Sequence, residues 1–196
     1  MPVDAQEFYA GKRDELIKDF EKFRAKPYLD SEGIPTIGYG TTAYPDGRAV
    51  TMNDSPVTMD QANEYYTHHI NEFTDKISQA PGFSNLSEPQ QAALTSFAYN
   101  TGPNVFTAPS GYETLQSAVR SGDSNQIADA MRLYINKGSN SEAGLVRRRE
   151  AEIDLMNTPL PPPEVHSNPA PRMVTISPSA KPVAAKPAPK FQTGRW

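Results

Sequence analysis

Apolar positions recur at helical spacing from the start of the chain. Leu16, Ile17, Phe20 and Phe23 fall on one stripe and predict a first helix over residues 5–24. The period then breaks. Between residues 27 and 52 glycines and short alternating runs replace it. Pro45-Asp46-Gly47 supplies a turn there, in which proline presets φ and glycine permits a positive one. Helical spacing resumes after Thr58, where Gln61 three positions on completes a capping box. The apolar face of this second helix is Ala62, Tyr65, Tyr66, Ile70, Phe73 and Ile77. Ser87-Glu88-Pro89-Gln90 repeats the box with proline in the first turn, predicting a helix through Leu94 and Phe97 that stops near Gly102. Three more helices are predicted near 111–121, 125–137 and 142–156, with Gly122 and Gly138 as stops for the first two. The pattern is that of a small α+β domain: a β-hairpin or three-stranded region, then a helical lobe.

After residue 157 the periodicity ends. Residues 158–196 hold ten of the 19 prolines, and apolar side chains appear singly. Such a segment cannot bury enough surface to offset its ordering entropy, so a disordered, partly polyproline-like tail is expected beside a folded domain at 1–157. At ~3.1 Å per residue it would reach roughly 120 Å when extended. It carries five basic side chains against one acidic, whereas residues 1–157 carry 14 basic and 22 acidic, within an overall net charge of −4. Two readings of the tail stay open: a linker or solubilising extension, and a cationic arm that touches an anionic envelope. The acidic body argues against a nucleic-acid partner, which needs a basic face for phosphate.

No apolar run approaches the ~20 residues that span a bilayer, so membrane insertion is not expected. The first residues, MPVDAQEFYAGKRDEL, lack the apolar stretch of a secretory signal. The chain has no cysteine and three histidines. His68 and His69 are adjacent and are expected to point to different faces of their helix. Neither a metal nor a cofactor is therefore expected.

The stretch that carries chemistry runs from Glu21 to Thr42. Glu21 lies off the main apolar stripe, near the end of the first helix, because Pro27 disfavours helix at Lys26. A carboxyl there faces the negative pole of the helix dipole, which is unfavourable for a surface charge and useful for a proton donor. If Ser31-Glu32-Gly33 is a three-residue loop with Gly33 left-handed, Asp30 pairs with Ile34. Thr36 then falls on the same face as Asp30, a diagonal neighbour about 7–8 Å away at Cα, a gap one water can bridge. Two carboxyls flanking a bond, one acid and one base, are what glycoside hydrolysis requires. The competing reading is structural: Glu21 paired with Arg24 or Lys26, and Asp30 capping its own loop.

The run E-x8-D-x5-T-I-G-Y-G strongly resembles the phage-type lysozymes, the endolysins of glycoside hydrolase family 24. Their helix-end Glu, hairpin Asp and following Thr fall on Glu21, Asp30 and Thr36. Two further stretches are similar: Ser96-Phe-Ala-Tyr-Asn100-Thr-Gly102, and Gly144-Leu145-Val-Arg147-Arg148-Arg149-Glu-Ala-Glu152. The resemblance covers residues 12–157 and implies a lysozyme-like fold with a cleft between hairpin and helical lobe. It implies cleavage of the β-1,4 bond between N-acetylmuramic acid and N-acetylglucosamine in bacterial peptidoglycan, with inversion. Glu21 would be the acid, with Asp30 and Thr36 holding the attacking water. Tyr99, Asn100 and Thr42 are candidates for saccharide contact, and Arg148 or Arg149 for a supporting ion pair with Glu21. The expected setting is a monomer held in the host cytoplasm until lysis, acting on the wall from the periplasm. A secreted or virion-associated antibacterial lysozyme and a non-catalytic peptidoglycan-binding module are the alternatives. Where the family usually carries histidine after GYG this chain has Thr41, so a weaker, less pH-dependent link from hairpin to helices is expected.

Overall fold

A computed structural model describes residues 3–30 and 33–162. The predicted tail therefore lies, beyond residue 162, outside the described residues. Helix α1 (Ala5–Glu21) opens on Asp4, whose side chain accepts from the Glu7 amide, and leads into strands β1 (Arg24–Leu29) and β2 (Pro35–Gly38). Helix α2 (Met59–Ser78) starts at the capping box formed by Thr58 and Gln61. Then come α3 (Glu88–Thr101), α4 (Glu113–Ser121), α5 (Ser124–Met131) and α6 (Glu142–Met156), with short 3-10 turns at Phe83–Asn85 and Pro103–Phe106.

Two boundaries differ from the sequence reading. The first helix stops at Glu21 rather than residue 24: Lys22 takes φ 56° and Phe23 joins the hairpin-side core instead of continuing the stripe. The fifth ends at Met131 rather than 137, and the backbone turns again at Asn136, with φ 47°. A third strand is not formed among the described residues. The chain after β2 makes isolated bridges, Ile37 with Thr41 and Ala43 with Ala49, because positive φ at Gly38, Gly40 and Gly47 keeps it turning.

The hairpin has the expected register. Tyr28 pairs with Thr36 and Leu29 with Pro35, while the Asp30 amide donates to the Ile34 carbonyl at 3.0 Å. Gly33 sits at φ 80°. Side chains alternate across a strand, so Tyr28, Asp30 and Thr36 share one face and Ile37 takes the other, where it is fully buried. The register slips between Arg24 and Tyr28, around Pro27, which has no amide hydrogen to give the ladder.

Two apolar clusters result. The smaller joins Ile17 of α1, the hairpin residues Ile37 and Tyr39, and Ala62, Tyr66 and Ile70 of α2. The larger is built around Leu94 and Phe97 of α3 with α4, α5 and α6. At the far end the Tyr9 hydroxyl donates to the Thr158 carbonyl at 2.9 Å, fastening the end of α6 to α1. No helix among the described residues is long and apolar enough to cross a membrane.

The irregular segment after β2 is held by Asp54. Its carboxylate accepts from the Thr51 amide and hydroxyl and from the Tyr44 hydroxyl, with Arg48 beside it. These donors hold its carboxyl at about 2. A depressed native value means that this contribution is present above the unfolded carboxyl value of about 3.9 and disappears as pH falls toward the native one. Asp54→Asn should therefore lower Tm at pH 6, with the difference shrinking between pH 4 and pH 2. Thermal melts across that range check it.

Candidate active site

Glu21 is the last residue of α1, and the side of the cleft it occupies is completed by the hairpin. One cavity of about 520 Å³ is lined by Glu21, Tyr28, Asp30, Thr36, Gly40 and Thr42 on that side. Tyr99, Asn100, Thr101, Val105, Tyr112, Tyr134, Asn136, Ser141 and Leu145 line the helical side. All three residues of the E-x8-D-x5-T run thus share a cavity with Thr42, Tyr99 and Asn100. Tyr112, Tyr134 and Asn136 were not singled out by the sequence. They come from separate irregular or helix-flanking positions that no period connects.

The partner of Glu21 is Arg148, whose Nη1 donates to Oε1 at 2.7 Å, rather than Arg24 or Lys26. Arg24 instead lies over the Tyr28 ring, 4.2 Å from its centroid. The other carboxylate oxygen, Oε2, lies against Gly40. A Cβ built on that glycine would come within 3.2 Å of Oε2 and 3.7 Å of the Tyr99 ring, at φ 89°. The second glycine of the GYG run is thus the space in which the Glu21 carboxyl sits. Gly38 has a parallel role, since a Cβ there would meet Ala62 Cβ at 3.1 Å. Gly40→Ala should both strain the backbone and push the carboxyl aside. The expected loss in kcat is on the order of 100-fold, since a 1 Å misplacement of a reacting group costs about that much. A wall-turbidity assay on folded variant reads it, and activity within twofold of the parent would refute the packing argument.

Asp30 does cap its own loop, accepting from the Ile34 amide at 2.9 Å, and it lines the cavity as well. The two readings of this residue are therefore compatible. Thr36 is only 2% exposed, and its hydroxyl donates to the Ile34 carbonyl at 2.9 Å. With its proton directed there, the oxygen presents lone pairs, which suits it to accept a hydrogen from water.

Behind Arg148 stands a buried ionic cluster. Arg148 Nε and Arg149 Nε lie 3.3 and 3.1 Å from opposite oxygens of Glu152, and Ser96 donates to that carboxyl at 3.0 Å. Burial pushes the Glu152 carboxyl up, against the pull of Arg149 and Arg148. Burial lowers Arg149 to about 10, which leaves it charged at neutral pH. Arg149 Nη2 donates to Asn100 Oδ1 at 2.6 Å, so Asn100 is oriented by the cluster, while the α3 C-cap is Gly102. The two motif arginines divide the work: Arg148 reaches Glu21 and Arg149 reaches Asn100.

Tyr99 lines the cavity and is held from behind. Its hydroxyl donates to the Tyr39 carbonyl at 2.7 Å, and its ring packs against Tyr66 and Phe73. It ties the GYG run to α3, and what it offers the cavity is ring edge. Burial and the Glu21 carboxylate push its phenol well above the ordinary range. Thr41 is buried and its hydroxyl has no hydrogen-bond partner among the described residues, while its backbone pairs both ways with Ile37 at 2.9 Å. The hairpin side is fastened to the helices elsewhere, by Tyr99 and by His69 of α2, whose Nε2 lies 2.7 Å from the Ala43 carbonyl.

The sequence matches the family model for phage lysozyme over residues 18–152. The chain belongs to the phage lysozyme family. It is thereby a peptidoglycan-hydrolysing enzyme of the muramidase type. It is similar to the endolysin of Salmonella phage P22, 31% identical over 133 residues, spanning 68% of this chain and 87% of that one. The endolysin of Bacillus phage B103 is 28% identical over 143 residues, covering 73% of this chain and 51% of the relative, about half its length. Among solved structures, the endolysin from Escherichia coli O157:H7 phage FAHEc1 superposes with a TM-score of 0.64. It is 30% identical, over 77% of this chain and 94% of that one. The α+β lysozyme-like architecture of this family member is the one expected from its sequence.

Proposed function

We propose that this lysozyme cleaves the β-1,4 bond between N-acetylmuramic acid and N-acetylglucosamine, with inversion at the anomeric carbon. Glu21 protonates the leaving oxygen. Arg148 engages Oε1, which leaves Oε2, beside Gly40, as the oxygen that carries the proton to the sugar. Asp30 and Thr36 hold a water that attacks from the opposite face. Carboxyls separated by roughly 6.5–9.5 Å leave room for that water and give inversion. The observation that supports this division of labour most directly is the Thr36 hydroxyl. Its proton is directed to Ile34, so a water donating one hydrogen to Thr36 and one to Asp30 keeps its lone pair for the sugar. Thr42, Asn100 and the ring of Tyr99 bind the saccharide. The chemistry is that of side chains alone, with no cofactor.

Reducing-end release from purified glycan strands tests the reading. New reducing ends on muramic acid, appearing first as the α-anomer by proton NMR, are expected. Release of amino groups instead would refute a glycosidase, and initial β-anomer would refute inversion.

The biological setting we infer is lysis of the host cell, with the enzyme accumulating in the cytoplasm as a monomer and reaching the wall once the membrane is breached. Its resemblance to endolysins supports this setting. Residues 158–196 are read as a linker or a cationic arm on the strength of their composition.

A further inference from the structure

On α2, away from the cleft, His68, His69 and Glu72 converge, although adjacency in a helix argued that the two imidazoles would diverge. Glu72 stands four residues from one and three from the other, so both rings can swing onto the same helical turn. His69 Nδ1 lies 3.5 Å and His68 Nε2 3.7 Å from the same oxygen, Glu72 Oε2. One ligand atom from each residue lies within 4.8 Å of the others.

The protonation of His69 follows from its other nitrogen. Nε2 is 2.7 Å from the Ala43 carbonyl, which can only accept, so Nε2 carries a hydrogen. In the neutral ring Nδ1 is then a lone pair, directed at a carboxylate oxygen. A protonated ring would make an ordinary ion pair with Glu72; in the neutral ring Nδ1, the His68 nitrogen and the carboxylate oxygen are three lone-pair donors grouped where one cation can bridge them. A histidine that donates its second nitrogen's hydrogen to a backbone carbonyl is the arrangement in which metal-ligating imidazoles are usually held. Two imidazole nitrogens and one carboxylate oxygen suit zinc and its neighbours, whereas magnesium and calcium demand oxygen donors.

We propose that His68 Nε2, His69 Nδ1 and Glu72 bind a divalent transition-metal cation of the zinc type, with water completing the shell. The site is independent of the catalytic reading, since none of the three residues lines the cleft. Its effect would be to fasten α2 to the segment beyond β2. Ala43 follows Thr42, a cleft residue whose carbonyl accepts from the Val50 amide at 2.8 Å. Metal bound at His69 fixes its ring, and with it the Ala43 bond, stiffening that wall.

Calorimetric titration of the untagged, chelator-treated full chain with zinc chloride tests the proposal, with magnesium and calcium chlorides as controls. A 1:1 zinc complex is expected, with a rise in Tm on binding and no response to the other two ions. His68→Gln and Glu72→Gln should each weaken zinc binding at least about tenfold. The hydrogen bond to Ala43 is made by His69, so the His68 variant separates loss of the metal from loss of the loop tie. His166→Gln should leave binding unchanged. Absence of a 1:1 complex would overturn the site. So would zinc binding that survives His68→Gln and His69→Gln, or that disappears in Glu21→Gln and so belongs to the cleft.

Discussion

Glu21→Gln should lower kcat on purified cell walls by about 10³-fold, within the 10²–10⁴ that a positioned general acid contributes. Glutamine keeps an oxygen where Arg148 Nη1 donates, so the helix end, the ion cluster behind it and the cleft are retained. The loss should therefore fall on the chemical step. Wall pull-down should be unchanged and Tm should move little. The variant also separates hydrolysis from binding, because a protein that merely adheres to peptidoglycan would be indifferent to the exchange. Turnover above about a tenth of the parent rate, measured by reducing ends, would remove Glu21 from the role of proton donor.

Glu152→Ala should be the most destabilising single exchange in the helical lobe, by about 3–5 kcal/mol, the usual effect of leaving one side of a buried ion pair without its partner. Glu152 and Arg149 are completely buried and Arg148 is nearly so. Removing the carboxylate leaves the buried Arg149 without its ion-pair partner, leaves Arg148 with Glu21 alone, and strands the Ser96 hydroxyl. Burial lowers Arg149 to about 10 even with Glu152 in place, and removing that carboxylate takes away the neighbouring charge that opposes the burial. Urea unfolding with an unchanged m-value would report the loss. A Glu152→Gln variant, which keeps the volume and an acceptor for Ser96, should recover only part of it. A change below 1 kcal/mol in the alanine variant would mean that the cluster is solvated. Arg148 also holds Glu21, so residual activity in folded Glu152 variants should fall along with stability.

Much of this was readable in one dimension. The hairpin register followed from parity once Gly33 was placed in the left-handed region, since an odd loop puts Asp30 and Thr36 on one face. The capping box at Thr58 was equally local. The end of α1 is hidden in the sequence because Phe23 continues an apolar stripe, although its ring turns to Tyr39, 5.7 Å away between centroids, in another cluster. A stripe reports apolar positions and not which core receives them. The Tyr99 hydroxyl was beyond reach for a related reason: its acceptor at Tyr39 is sixty residues away. The Arg148 partner of Glu21 is named through the family resemblance and by no local pattern, whereas the tyrosines of the far cleft wall are assembled by long-range packing alone. The meeting of the two histidines is not legible in their adjacency, because imidazole side chains can lean toward a shared carboxylate one turn on.

Lys22 joins the two halves of this apparatus, with φ 56° and ψ 140°, a state that side chains other than glycine seldom adopt. On its amino side is a carboxyl clamped to the helices by Arg148; on its carboxyl side is the strand that delivers Asp30. A single peptide joint therefore sets the aim of one group at the other. Lengthening or shortening the chain by one residue there would swing the whole ribbon and reset the distance across which sugar is cut, with every reactive side chain intact.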